Sequence, residues 1–365
     1  MNQALQTIGG ERRHRASPRP IRLMIVDDSL TARTVLSRII EPEPDLVIVA
    51  KATTGEMAIA RLAEQPADVV LLDLEMPGMG GLGALPRILE LARGGQVLVV
   101  SSLTAEGAEH TLAALSMGAA DTLLKPRAGE FGESYARALL GKIRALGRAA
   151  EADNATFRPA TPPPVKARAT RPPRVVAVGA STGGIHALCL MLRALPARFE
   201  LPILVTQHLP ASFMPVLARQ LAIASGREAE VAAPGSEIRA GRIYVAPGEG
   251  HMTVHQRLGR LVTGLAHHPV ASGCMPSVDP LFESLAEASD GQAMGVVLSG
   301  MGRDGLEGAA KLVAAGGTLF AQDAATSSVW GMPRAIAQAG LATAVLPPEA
   351  IAGRLVSSAG AAAWK

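Results

Sequence analysis

Two sets of residues in this chain have the types and spacing to do chemistry. In the first, Asp27 and Asp28 close the apolar run RLMIV, Asp73 closes VVLL, Ser101 and Ser102 close QVLVV, and Lys125 closes DTLL. If these runs are neighbouring parallel strands, their C-terminal ends form one crevice, the usual ligand position in such sheets. Three carboxylates meeting there repel one another unless a cation neutralises them. A site of oxygen ligands alone favours Mg²⁺, which keeps several waters and pairs well with phosphate. A lysine and a hydroxyl facing the acids can hold phosphoryl oxygens. The set suits Mg²⁺-assisted phosphoryl transfer to a carboxylate, giving an acyl phosphate. Any one of these acids taken singly is an ordinary helix N-cap; the whole series at successive strand ends is not.

The second set starts at Gly179-Ala180-Ser181-Thr182-Gly183, which follows the run RVVAV and fits G-x-S-x-G. A nucleophilic serine on a sharp strand-to-helix turn needs small neighbours because the backbones approach closely. The helix behind it offers free N–H groups to an oxyanion. The competing reading is a phosphate-cradling loop. It fails on spacing, because neither G-x-G-x-x-G nor a G-K-[ST] ending is present. The serine needs a base. Of eight histidines, His14 lies in the N-terminal tail, His110 in the first half, His186 on the helix after the serine, and His251, His255, His267 and His268 around a hairpin. His208 alone closes a central apolar run (PILVTQH), on the same edge as Ser181. The base in turn needs an orienting carboxylate, and Asp304 follows AMGVVLSG in a Gly-rich turn. The order Ser, His, Asp differs from the Ser, Asp/Glu, His order of α/β-hydrolases. The backbone N–H groups of Thr182 and Met301 are the candidates for an oxyanion hole.

These residues need strands to carry them. Short apolar runs alternate with helix-period segments from Ile21 onwards: five such units in the first half, then a second series from Val175, broken by a hairpin across RIYVAPGEGHMTVHQRLGRLVTG. The pattern predicts α/β architecture, with a (βα)5 flavodoxin-like domain followed by a doubly wound, mostly parallel α/β domain carrying a β-hairpin. The expected organisation is a disordered tail over 1–20, a first domain over 21–145, a Pro-rich basic linker over 146–173 and a second domain over 174–365. GGLGALPRILELAR reads as a helix interrupted by Pro86.

Composition narrows the function. The 365 residues are 48% hydrophobic and only 3% aromatic, so aromatic platforms for stacking nucleic-acid bases are not expected. The net charge of +3 is misleading. Residues 1–22 hold five Arg and one Glu, and 148–174 hold six Lys/Arg and two acids, so the remainder is net negative. With no helix-turn-helix signature either, DNA binding is disfavoured. Two cysteines, Cys189 and Cys274, give no disulfide framework and no C-x-x-C metal spacing. No apolar run is long enough for a membrane span, and the N-terminus has no signal-peptide core. A cytoplasmic protein without membrane insertion and without a nucleic-acid partner is expected.

MIVDDS, LLDLEMPGMGG, VLVVSS and LLKP resemble, in order and spacing, a response-regulator receiver domain. GASTGG, QHLP, YVAPGEGHM, PSVDPLFESLA, LSGMGRDGLEG and QDAATSSVWGMPRAI resemble the catalytic domain of the chemotaxis protein-glutamate methylesterases, the CheB family. The resemblance implies phosphorylation on Asp73. It implies Mg²⁺ held by Asp28, Asp73 and the backbone carbonyl of Glu75, with Asp27 acting through water. Ser101 and Lys125 then sense the phosphoryl group, and a cis peptide is expected at Lys125-Pro126. It implies a hydrolase, with no cofactor in the catalytic domain. By the same resemblance, Ser181, His208 and Asp304 are expected to remove the γ-methyl ester of glutamyl side chains on methylated chemoreceptors, or to deamidate glutamine, under control of a chemotaxis histidine kinase. The alternatives are the same chemistry in another sensory pathway, or a receptor-binding adaptor. Three positions depart from the family: Thr122 stands where many receivers have an aromatic switch residue, Met275 where Arg usually precedes PSVD, and Met214 in SFMPVLA where the family commonly has Thr after the Phe.

Overall fold

In a computed structural model the described residues are 19–101, 104–126, 132–148 and 172–360. Most of the expected tail and linker, and Ser102, lie outside them. The first domain runs β1 (Ile21–Val26), α1 (Leu30–Ile40), β2 (Leu46–Ala52), α2 (Gly55–Glu64), β3 (Val69–Asp73), α3 (Gly80–Leu91), β4 (Gln96–Ser101), α4 (Ala105–Met117), β5 (Asp121–Leu124) and α5 (Glu133–Gly147). Its five strands are parallel, in the order β2-β1-β3-β4-β5. β3 is buried along its whole length, and β1 and β4 nearly so, as strands covered by helices on both faces must be. Ser29, Thr54 and Thr104 cap α1, α2 and α4 by accepting the amides of Ala32, Met57 and Gly107, which fixes where the chain turns from strand end into helix.

The second domain runs β6 (Val175–Ala180), α6 (Gly184–Ala194), β7 (Ile203–Gln207), α7 (Met214–Ser225), β8 (Ala229–Val231), β9 (Ile243–Val245), β10 (His251–Arg257), β11 (Arg260–Ala266), α8 (Val278–Ala288), β12 (Ala293–Val297), α9 (Leu306–Ala314), β13 (Thr318–Gln322), α10 (Met332–Gln338), β14 (Ala344–Leu346) and α11 (Pro348–Ala359). Seven strands form a parallel sheet in the order β14-β13-β12-β6-β7-β9-β8, and β10-β11 is a separate antiparallel hairpin. The α/β architecture with its hairpin is as the sequence predicts. No helix among the described residues is long and apolar enough to cross a membrane.

Two local expectations change. α3 passes through Pro86 without interruption. A proline inside a helix removes one backbone hydrogen bond, but Gly81, Ala84, Leu85 and Ile88 bury one continuous face of α3, and that packing holds the helix together. The cis peptide bond among the described residues is Met275-Pro276, not Lys125-Pro126.

The two domains touch. α4 of the first packs on α6 and α7 of the second, and Ala108, Leu112 and Leu115 join the apolar cluster that contains Leu188, Leu192 and Leu217. Val329 of the second domain packs into the cluster of Tyr135 and Leu139.

Candidate active site

Both sheets carry their candidate residues at the switch point, where the strand order reverses and the connecting helices diverge to opposite faces. In the first domain this lies between β1 and β3, where Val26 pairs with Leu72, so Asp27 and Asp73 emerge side by side. Asp73 pairs with Val100, and Ser101 with Leu124, which brings Ser101 and Lys125 to the same edge. Asp27, Asp28 and Asp73 offer carboxylate oxygens within 4.8 Å of one another. Lys125 Nζ reaches Asp73 Oδ2 at 2.6 Å and Asp27 Oδ2 at 3.2 Å. Asp73 is 3% exposed. Burial raises its pKa above the ordinary carboxylate value, outweighing the hydrogen bond from Lys125. Lys125 is raised as well; burial opposes its charge, but Asp73 and Asp27 more than compensate. Glu75 follows directly, its amide donating to Asp73 Oδ1 at 3.1 Å.

In the second domain the switch point lies between β6 and β12. Ala180 pairs with Gln207 on β7, so the next residues, Ser181 and His208, leave the sheet together. Asp304 arrives from the loop after β12. Gly183 has φ +76°, and a Cβ there would lie 2.5 Å from Ser328 Cβ, so only glycine completes the turn behind the serine. A Cβ on Gly300 would lie 2.8 Å from Ser181 Cβ, which is why the loop after β12 can pass so close. The Gln207 side-chain amide donates to the Ser181 carbonyl at 2.9 Å and steadies the turn.

His208 Nε2 and Asp304 Oδ2 are 2.8 Å apart. With Nε2–H donating to the carboxylate, the lone pair on Nδ1 is the one left to act as base. Asp304 is 2% exposed and also accepts from Ser277 Oγ at 2.6 Å and from the Val278 amide at 2.8 Å. Burial alone would raise its pKa, but His208 and these two donors hold it well below the usual carboxylate range. Burial lowers the His208 pKa, yet Asp304 and Cys274 carry it up to about 9, so near neutral pH the ring in this arrangement is charged and must give up a proton before Nδ1 can act as base. Among the described residues no hydrogen bond joins Ser181 Oγ to His208; such contacts are often long in a free enzyme and tighten with substrate. The amides of Thr182 and Met301, the two oxyanion candidates, have no backbone acceptor among the described residues.

The serine turn is also where the first domain touches the second most closely. The Gly183 amide donates to the Ala120 carbonyl at 2.5 Å. Thr182 Oγ1 donates to Asp121 Oδ2, also at 2.5 Å, and Lys142 Nζ reaches that same oxygen at 2.5 Å. His186 Nδ1 lies 2.9 Å from the Ser116 carbonyl, and Arg219 pairs with Glu109.

Sequence reasoning missed several supporting residues. His251, set aside as a hairpin residue, is fully buried. Its Nδ1 accepts the Ser277 amide at 3.0 Å and its Nε2 lies 2.9 Å from the His268 carbonyl, so it fixes the serine that fixes Asp304. The serine preceding a helix in PSVDPLFESLA was a legible N-cap signal; its second bond to Asp304 was not. Cys274 also sits beside His208, and hydrogen bonding to the imidazole draws its thiol pKa down.

Comparison with known proteins places both domains in families. Residues 23–132 match the response regulator receiver domain and residues 176–355 the CheB methylesterase domain. Protein-glutamate methylesterase/protein-glutamine glutaminase 2 of Caulobacter vibrioides is 46% identical over 345 residues, covering 93% of this chain and 99% of its own. The enzyme numbered 1 from Paramagnetospirillum magneticum is 41% identical over 367 residues, covering 92% and 96%. The Thermotoga maritima CheB methylesterase catalytic domain is 34% identical, over 51% of this chain and 98% of its own, with a TM-score of 0.49. With a receiver model and a methylesterase model matching its two domains, and with relatives of 41% and 46% identity aligned over more than nine-tenths of both chains, the chain belongs to the protein-glutamate methylesterase/protein-glutamine glutaminase family.

Proposed function

We propose that this chain hydrolyses the γ-methyl esters of glutamyl side chains on chemoreceptors, and the corresponding glutamine amides, when its receiver domain is phosphorylated on Asp73. The observation that carries the reading is the His208–Asp304 pair beside Ser181, with the receiver's Asp121 bonded to the residue next to that serine.

Ser181 Oγ attacks the ester carbonyl carbon while His208 Nδ1 takes its proton. Asp304, kept ionised by its donors, orients the imidazole and stabilises the imidazolium. The amides of Thr182 and Met301 receive the oxyanion. Collapse of the tetrahedral intermediate returns the proton to the departing methoxide, and methanol leaves. Water, deprotonated by the same histidine, then hydrolyses the acyl-enzyme. With a glutamine side chain the leaving group is ammonia.

The receiver crevice fits Mg²⁺. Its ligand atoms are all oxygens, and the buried Asp27 Oδ2 has no hydrogen-bond partner, its contact with Lys125 being ionic. Asp28, Asp73 and the Glu75 carbonyl would hold the ion, Asp27 assisting through water; when bound, it neutralises charge during phosphoryl transfer. The phosphodonor is a histidine kinase of the chemotaxis type.

Coupling starts at Ser101. Its hydroxyl lies 3.3 Å from that of Thr122, the residue standing where many receivers carry an aromatic switch. A phosphoryl group on Asp73 competes for Ser101 and leaves Thr122 without its partner. Thr122 is joined to Asp121 in sequence and by its own amide, which donates to Asp121 Oδ1 at 2.8 Å. Loosening β5 therefore loosens the bonds from Asp121 and Ala120 to the serine turn. This is a shift between two packings of the domains, with substrate admitted in the open one.

Methanol release from a methylated chemoreceptor, with and without acetyl phosphate and Mg²⁺, tests the reading. Release stimulated by the phosphodonor is expected. Absence of release from a receptor known to be methylated, in both conditions, rejects it and leaves the adaptor reading.

A further inference from the structure

We propose that Cys274, His208 and Asp304 form a binding site for a soft divalent cation, Zn²⁺ being the ion that fits, and that its occupancy withholds His208 from Ser181. One sulfur, one imidazole nitrogen and one carboxylate oxygen of these residues lie within 4.8 Å of one another. Three such ligands and an open fourth position are a common zinc arrangement, with bonds of about 2.0–2.3 Å that set ligands roughly 3.3–3.7 Å apart. His208 Nε2 and Asp304 Oδ2, 2.8 Å apart, must give up the proton between them and open slightly to admit the ion, while the sulfur, within 4.8 Å of both residues' ligand atoms, closes by at most about 1.5 Å. Cys274 lies on the segment between β11 and α8, where residues 271–273 and Met275 are exposed, so a small displacement of its sulfur disturbs no packed core. The surroundings are already those of a metal site: Ser277 holds the other oxygen of Asp304, and His251 holds the Ser277 amide, so carboxylate and imidazole are oriented before any ion arrives.

Ligand softness separates this site from the receiver crevice. A thiolate with an imidazole selects Zn²⁺ and Co²⁺, whereas the three carboxylates around Asp73 select Mg²⁺. Cys189, the other cysteine, is buried in the apolar core and offers no rival site.

The test uses the full chain in saturating Mg²⁺, with Co²⁺ as the probe. A thiolate-to-cobalt charge-transfer band in the near ultraviolet, saturating at one equivalent, is expected in the wild type and in Ser181→Ala, and is expected to be lost in Cys274→Ser. No band in the wild type, or a band that survives Cys274→Ser, overturns the site. A second measurement needs no variant: Zn²⁺ should protect Cys274 from iodoacetamide, followed by peptide mass spectrometry, and alkylation at an unchanged rate overturns the proposal equally. The inhibitory part rests on the hydrolytic reading above. At about ten times its dissociation constant, Zn²⁺ should lower ester hydrolysis about tenfold, reversibly with a chelator. Binding with no loss of rate overturns inhibition alone. Binding in a chain that hydrolyses no ester even without metal overturns the hydrolytic reading and leaves the site standing.

Discussion

The two crevices occupy the same place in two parallel sheets, and each is built on a buried aspartate, yet the aspartates are treated oppositely. Asp304 receives His208, Ser277 and the Val278 amide, and these hold it ionised despite burial. Asp73 receives Lys125 and the Glu75 amide but faces Asp27, and its pKa is raised. The difference lies in the neighbours rather than the residue type. A carboxylate saturated with donors is held as an orienting anion; one short of donors beside another acid suits a hard cation such as Mg²⁺ and phosphoryl transfer.

The sharpest way to break the comparison is to remove the reacting group from each crevice. Ser181→Ala should lower methanol release by at least about 10³-fold, and Asp304→Asn by a similar factor through loss of the correct imidazole tautomer. Uptake of phosphate from acetyl phosphate, read by phosphate-affinity electrophoresis, should be unchanged in both. Asp73→Asn should do the reverse: stimulation by acetyl phosphate disappears while the unstimulated rate remains. Substantial hydrolysis by Ser181→Ala would remove the serine from its role.

A smaller effect sharpens the contact between the halves. Asp121→Ala deletes the acceptor of Thr182 and Lys142. A hydrogen bond of this kind contributes about 1 kcal/mol, so the unstimulated rate should rise roughly fivefold, with a correspondingly smaller stimulation on phosphorylation. An unchanged rate would mean that the bond does not hold the closed arrangement.

The smallest effect concerns a carboxylate at the surface. Hydrogen bonds from Arg144 hold the Asp45 pKa down to about 2, against an ordinary value of 3.8. Because the folded value is the lower one, the stabilisation is complete above about pH 4 and is lost as pH falls toward 2. Asp45 is partly solvated, so Arg144→Met should cost only about 0.5–1 kcal/mol near neutral pH. The gap between the two melting curves should close in acid.

Strand ends were the legible part of this molecule. A strand that stops at Asp27, Asp73, Ser181 or His208 declares an edge, and parallel pairing delivers the rest, because one residue past Ala180↔Gln207 Ser181 and His208 emerge side by side. The contacts of Asp121 with Thr182 and of Ser277 with Asp304 were not legible. Each joins ordinary polar residues on separate elements, with no period or spacing to announce them. Pro86 misled for a related reason: local propensity argues for a break, and the burial of the opposite face of α3 decides otherwise.

The contact between the Gly183 amide and the Ala120 carbonyl is made by backbone on both sides. Substitutions at either position, proline at 183 apart, can alter the fit of the seam but cannot delete the pair of groups that meet there. The closed arrangement can thus persist while the surrounding side chains drift. The same feature gives the protein an internal gauge: the Gly183 amide proton is shielded while the domains are together, and its exchange with solvent counts the openings.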